Sequence, residues 1–328
     1  MNIVEISDKF PDELAVIKYA IKIRWGKKIK CVYCGSTNIG TQNKDFRWHC
    51  KNCKKSFSVT TNTNLHNTRL PLKTWFYAIA VITDAKKGIS SLQLHRNIGV
   101  HYETAFNMAH KLRSLMKEEN KTIELSEVVE MDETIIVGKP RKYQYENKAT
   151  PKVIPELDKK IKELKSEGYE IKEGEYKKPA VIGKQKRGRG AISRGAVVGG
   201  IVERGGDVIA EVMNNTTYAE LKKLVEKYVD TENSVLISDE FKGYNRFNKI
   251  IEHVKIDHSK MYSYKGLNTN SIESFWAIIK RGIIGQYHKV SPKYLPNYIA
   301  EFVYKYNNRD DNEYMFDELL IKCLQVKN

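Results

Sequence analysis

The hydrophobic pattern changes period along the chain, and each change marks a part. Between Pro11 and Trp25, Leu14, Ile17, Ala20 and Ile21 recur at helical spacing behind Asp12 and Glu13, so a helix opens there. Leu72 to Asp84 is an apolar-rich helix. Lys86-Lys87-Gly88 punctuates it, and Ser90 is a suitable N-cap for a helix from Ser91 to Asn97. Gly99 turns the chain into a longer helix, His101 to Lys117, with Ala105, Met108, Leu112 and Leu115 on its inner face. From Glu127 the period becomes that of strands: Val128 to Val137, Ala196 to Glu203, and Val208 to Met213 after the turn Arg204-Gly205-Gly206-Asp207. An amphipathic helix, Tyr218 to Val229, precedes a short buried strand at Ser234 to Ile237 and another at His253 to Ile256. Helices at Asn270 to Gly282 and Pro292 to Tyr306 follow, then a C-terminal helix carrying Cys323.

The polar residues of the middle helices have a pattern of their own. Helix, glycine-bearing turn, helix, with His101, Tyr102, Thr104, Asn107, Lys111 and Arg113 on the outer face, is the shape of a helix-turn-helix that contacts DNA. Charge points the same way. The 328 residues hold 56 Lys and Arg against 40 Asp and Glu, a net +16 that attracts polyanions, nucleic acid above all. Residues 139–195 concentrate the excess, with seventeen basic and eight acidic residues. Pro155 to Ser166 reads as a short amphipathic helix there, and Lys184, Lys186, Arg187 and Arg189 are expected to track DNA phosphates. The longest clear apolar run, Trp75 to Ile82, is too short for the ~20 residues that span a bilayer. The first ten residues lack the basic-then-apolar pattern of an export signal. The expectation is a cytoplasmic, DNA-associated protein with no membrane partner.

Four of five cysteines form two CxxC pairs, Cys31-Val-Tyr-Cys34 and Cys50-Lys-Asn-Cys53, fifteen residues apart. Each pair presents two thiolates from a tight turn, and four close a tetrahedral, structural Zn2+ site: a zinc ribbon. Phe46-Arg47-Trp48-His49 and Phe57-Ser58-Val59-Thr60 read as its short strands. His49 is an alternative ligand that four cysteines make unnecessary, and Cys323 is an apolar residue of its helix.

Three carboxylates complete the picture. The order three strands, helix, strand, short strand, helices fits a ribonuclease H-like mixed sheet. In it Asp132 lies mid-strand and Asp239 ends the strand Val235-Leu236-Ile237, where a charge is costly unless paired or metal-bound. Glu273 lies in the first turn of a helix 34 positions later. Brought together, they can hold two hard dications, Mg2+ or Mn2+, for in-line phosphoryl transfer. Lys280, two helical turns beyond Glu273, can reach a phosphate beside them. Asn270 and Glu273 both suit the third ligand position. Charge favours Glu273, and Asn270 is expected to cap the helix.

At these residues the chain resembles the DDE transposases of bacterial insertion sequences, of the family numbered 1595. The resemblance runs through Arg24-Trp25-Gly26, the paired CxxC, Leu70-Pro71-Leu72, Met131-Asp132-Glu133-Thr134, Ser238-Asp239, Asn270-Ser271-Ile272-Glu273, Lys280-Arg281-Gly282 and Tyr306-Asn307-Asn308-Arg309. It departs at Asn62, where the family pattern has glycine, and in the length of the segment after the first strand. It implies Asp132, Asp239 and Glu273 as catalytic triad, with Lys280 beside them. It further implies terminal inverted repeats and target DNA as partners, and a homodimer or larger synaptic assembly. The expected layout is α/β multidomain: helix and zinc ribbon over 1–69, helix-turn-helix over 70–120, and a C-terminal helix over 311–328. Between them, 121–310 would be the ribonuclease H-like catalytic domain, with a basic insertion at 139–195. A transposase-derived zinc-ribbon regulator and a ribonuclease H-like nuclease or resolvase are the alternatives.

Overall fold

The computed structural model describes residues 3–40, 46–119, 123–137, 162, 166, 195–256, 268–311 and 314–326. Met1–Gly138 with Ile192–Asn328 form one unit and Lys139–Ala191 a second. In the second only Lys162 and Ser166 are described, both helical. Lys184, Lys186, Arg187, Arg189 and the rest of the predicted helix Pro155 to Ser166 lie outside the described residues.

In the first unit α1 (Ile3–Lys9) and α2 (Glu13–Trp25) precede the ribbon. Asp12 caps α2, its carboxylate accepting the Ala15 N–H at 2.8 Å. The ribbon strands β1 (Trp48–His49) and β2 (Ser56–Phe57) pair antiparallel but are shorter than their sequence suggested. Phe46 and Lys54 adopt left-handed φ values of 55° and 60°, which turn the chain out of the ladder. Trp25 of α2 packs edge-on against Trp48 and Phe57, with centroids 5.8 and 6.0 Å away, so α2 floors the ribbon. At Asn62 φ is 58°, the conformation glycine would adopt freely and asparagine tolerates.

Helices α3 (Leu72–Asp84), α4 (Ser91–Ile98) and α5 (Tyr102–Glu119) follow. Ser90 Oγ accepts the Gln93 N–H, and Gly99 closes α4 at φ 69°, a left-handed C-cap.

The five-stranded sheet comprises β3 (Leu125–Val137), β4 (Gly195–Glu203), β5 (Val208–Met213), β6 (Val229–Ser238) and β7 (Glu252–Lys255). Its order is β5-β4-β3-β6-β7. β3–β4 and β4–β5 are antiparallel; β3–β6 and β6–β7 are parallel. Counted within the sheet this is 3-2-1-4-5, the ribonuclease H-like arrangement. One face packs Val129, Met131, Ile201 and Ile209 against Leu221, Leu224 and Val225 of α6 (Tyr218–Tyr228). The other packs Ile136, Val198 and Val202 against α7 (Asn270–Gly282) and α8 (Leu295–Asn307), through Ile272, Phe275, Trp276 and Phe302.

Helix α9 (Met315–Leu324) returns to the N-terminal elements and shares one buried cluster with α1–α5 and the ribbon. Phe316 meets Phe76 edge-on at 5.5 Å, the Tyr19 hydroxyl donates to Asp317 at 2.7 Å, and Cys323 is fully buried, the apolar role expected of it. Between α5 and α8 lies a buried ion group. Arg113 Nε meets Glu301 at 2.6 Å, and Lys305 reaches the other carboxylate oxygen at 2.6 Å. Arg113 therefore does not belong to an outer DNA-facing surface. It follows Ala109 by four residues and precedes Met116 by three, both core positions, so its helical phase points inward.

Candidate functional site

Strand alternation sends Glu130, Asp132 and Ile136 of β3 toward α7. In the parallel pairing Glu130 stands opposite Ile237. Asp132 lies two residues further along β3, and Asp239, the first residue past β6, lies two residues beyond Ile237; the charge of Asp239 bears on Asp132. Asp239 also accepts the Phe241 N–H at 2.9 Å, an Asx turn that leads the chain away. Across the antiparallel pair Asp132 faces Gly200. A Cβ there would stand 2.7 Å from the Trp276 ring, so glycine makes the room in which the indole Nε1 donates to Asp132 Oδ2 at 3.1 Å.

Glu273 sits exposed in the first turn of α7, its Oε1 accepting from the Thr269 hydroxyl at 3.1 Å. Lys280 is exposed two turns on. The expected capping role of Asn270 is corrected by the structure. The N-cap is Thr269, Asn270 is the first helical residue, and its own N–H goes to Asn268 Oδ1 at 3.1 Å. The N–H groups of Ser271 and Ile272 are taken instead by Glu130 Oε2, at 2.8 and 3.1 Å.

The electrostatics link the three carboxylates. Burial pushes the Asp132 carboxyl up to about 6; the Glu133 N–H and the Trp276 indole oppose this, and the charges of Asp239 and Glu273 add to it. Glu133, on the opposite side of the strand, is pushed up to about 7 by burial, against a hydrogen bond from the Tyr244 hydroxyl and with the charges of Asp132 and Asp239. Hard, mutually repelling oxygens of this kind suit a divalent cation. Among the described residues only the cysteines form a group of three or more ligands whose donor atoms all lie within 4.8 Å of one another, so the carboxylates are more widely spread.

In the ribbon, Cys31 and Cys53 Sγ are 3.6 Å apart and Cys34 and Cys50 Sγ 3.7 Å. A tetrahedron with Zn–S bonds of ~2.3 Å has edges of ~3.8 Å, so the four sulfurs fit one Zn2+. His49 is exposed and lies 3.3 Å from the Ser56 hydroxyl, outside the cluster. On α5 and the turn before it, His101, Tyr102 and Asn107 are exposed, while Thr104 and Lys111 are half-buried. The Lys111 ammonium lies over the Trp75 ring at 5.9 Å.

Sequence reasoning assigns no role to Glu130, Trp276, Glu133 or Tyr244. Glu130 carried a signal: it is an acid two positions from Asp132, on the same face of an apolar strand.

No helix among the described residues is long and apolar enough to cross a membrane. Residues 11–56 match the transposase zinc-ribbon domain, including all four cysteines, and residues 168–307 match the ISXO2-like transposase domain. The second match takes in Asp239, Glu273 and Lys280 but begins after Asp132, which rests on strand geometry. An uncharacterized protein in transposable element ISH50 of Halobacterium salinarum is 28% identical over 110 residues, 32% of this chain and 37% of that protein. The chain thus spans little more than a third of that relative's length. A chain of a pre-cleavage Mos1 transpososome aligns over 99% of this chain and 96% of its own at 10% identity, with a TM-score of 0.25, too low to bear on fold or function. Both matched models are transposase domains, a zinc ribbon at 11–56 and an ISXO2-like domain at 168–307, and together they cover more than half of the chain.

Proposed function

We propose that the chain is a DDE-type DNA transposase that binds the terminal inverted repeats of its insertion sequence, cleaves the element ends and joins them to target DNA. The observation that carries this reading is that Asp239, one residue past β6, and Glu273 of α7 both lie near enough for their charges to bear on Asp132 of the neighbouring parallel strand. Asp132, Asp239 and Glu273 would hold two Mg2+ or Mn2+ ions, which supply activation of the attacking water or 3′-hydroxyl and stabilise the leaving oxygen. The chain's own part is orientation: the Trp276 indole fixes one oxygen of Asp132, and Thr269 steadies Glu273. Lys280, exposed on α7, would contact the phosphate beside the metals.

Repeat recognition falls to the zinc ribbon and to the α4–α5 helix-turn-helix, whose His101, Tyr102, Thr104, Asn107 and Lys111 would face DNA. Lys184, Lys186, Arg187 and Arg189 would add phosphate contacts. The division into ribbon, helix-turn-helix and catalytic domain follows the same division of labour. Two ends must be processed together, so a homodimer or larger synaptic assembly is the working form.

The test is cleavage and joining of DNA carrying the element's ends, with Mg2+. Asp132→Asn, Asp239→Asn and Glu273→Gln each abolish both steps and leave repeat binding intact, while Asn270→Ser retains most activity. Cleavage without joining would make the protein a nuclease or resolvase, and repeat binding without cleavage by the wild type would make it a regulator.

A further inference from the structure

Glu130 is fully buried, an unusual place for a carboxylate, and both its oxygens are saturated. Oε2 accepts the N–H groups of Ser271 and Ile272, at 2.8 and 3.1 Å. Oε1 accepts the Ser271 hydroxyl at 3.0 Å and Arg204 Nε at 3.1 Å. Arg204 also donates through Nη2 to the Asn268 carbonyl at 2.9 Å, and its own N–H goes to the Val128 carbonyl at 3.0 Å. One carboxylate thereby joins β3, the turn after β4 and the start of α7.

A helix N-terminus has N–H groups without intrahelical partners and a partial positive charge, and it is ordinarily capped from its own chain neighbourhood. Here the N-cap side chain of Thr269 makes no capping bond and turns instead to Glu273. The cap comes from a strand 141 residues earlier in the sequence. That strand carries Asp132 two positions along, on the same face, and the capped turn carries Glu273.

We propose that Glu130 is a positioning residue for the cation pair: its cap fixes the first turn of α7 against β3 and so sets the separation of Glu273 from Asp132 and Asp239. This rests on the carboxylate-triad reading above. Glu130 itself has no free lone pair directed at the site, since each oxygen already takes two donors. It acts through the helix it holds. The same bonds imply different outcomes for two substitutions. Glutamine can keep an oxygen where Oε2 accepts the two N–H groups, but its amide would face Arg204 Nε as donor against donor. Alanine removes cap and counter-charge together.

The experiment uses the full-length, zinc-loaded protein and two readouts, Mn2+ titration followed by electron paramagnetic resonance and hydrogen exchange of the peptide spanning 268–282. Asp132→Asn is the reference that identifies which bound Mn2+ belongs to the triad. In Glu130→Ala the triad Mn2+ binds at least tenfold more weakly and the Ser271 and Ile272 amides exchange at least tenfold faster. In Glu130→Gln the amides stay protected within about threefold, and most of the Mn2+ affinity returns. A merely structural residue would lower the melting temperature in both variants and leave the Mn2+ affinity of the folded protein at its wild-type value, and that result overturns the proposal. Should Glu130→Ala not fold, Glu130→Asp, whose shorter side chain draws the cap away from α7, takes its place: faster exchange of the Ser271 and Ile272 amides together with weaker triad Mn2+ binding supports the proposal. Unprotected amides with unchanged affinity sink it. If Asp132→Asn loses no Mn2+, the triad reading has failed, whereas loss in Asp132→Asn with none in Glu130→Ala fails the positioning role alone.

Discussion

Gly200 lacks a side chain because the Trp276 ring fills the space one would need. Gly200→Ala therefore forces α7 away from β4 or twists the indole off Asp132, and overpacking of this kind costs ~1–3 kcal/mol. The expected result is a lower urea midpoint with unchanged slope, together with weaker cleavage. At Glu301, burial alone would push the carboxyl up, but Lys305 and Arg113 hold it down at about 2. Glu301→Gln leaves two buried cations without their counter-charge, a loss on the order of 3–5 kcal/mol measurable by chemical unfolding. His110 lies between Phe106 and Tyr294, with ring centroids 4.3 and 4.5 Å away. Burial first, then the charge of Arg113, hold its imidazole down at about 4, against an opposing pull from Glu301. The unfolded chain takes up this proton near pH 6.5 and the folded chain only near 4. The stability this adds is complete above pH 6.5 and lost as pH falls through that window. The difference in unfolding free energy between wild type and His110→Phe should slope between pH 6.5 and 4 and be flat above pH 7.

Elements differ in how far their sequence discloses them. Helix α7 begins and ends where its periodicity places it, and β5 does too, because each is bounded by turn-forming residues and packs one clear face. β3 starts earlier than the apolar run suggests, since the residues before Val128 pass through a bulge at Glu127 with φ 58°, which no hydrophobic pattern announces. The cap of α7 is hidden for a similar reason: Asn270 and Glu273 have the spacing of a local capping box, but the acceptor is Glu130, distant in sequence. Asp132 and Asp239 are visible because charge inside an apolar strand demands an explanation. Arg113 resembles a surface residue in sequence because its partner lies in another helix. The ribbon couples metal to fold, so chelation or Cys34→Ser should release zinc and weaken repeat binding, read by metal content and gel shift. Helix α2 also buries Val16, Ile17 and Ala20 in the cluster it shares with α3–α5 and α9, so the helical circular-dichroism signal should stay largely unchanged.

At the scale of the molecule, the basic excess is concentrated in residues 139–195, outside most of what is described. If that segment follows phosphates, neutralising Lys184, Lys186, Arg187 and Arg189 lowers the salt slope of DNA binding by ~0.9 for each phosphate no longer neutralised, and an unchanged slope assigns the segment to solvent. Composition discloses the attraction to nucleic acid, while the long-range closure of the fold is hidden from it. Helix α9 supplies Phe316, Leu319 and Leu320 to the same buried cluster as α1–α5. Phe316→Ala should therefore cost ~3–5 kcal/mol and loosen the packing of Phe76 on α3, far away in sequence. The same closure sets an order on biosynthesis. A ribosome makes the ribbon and α3–α5 first, yet their shared interior stays open to water until Met315–Leu324 has emerged. The first part translated is then the last to mature, after the sheet that carries Asp132 and Asp239 has been made.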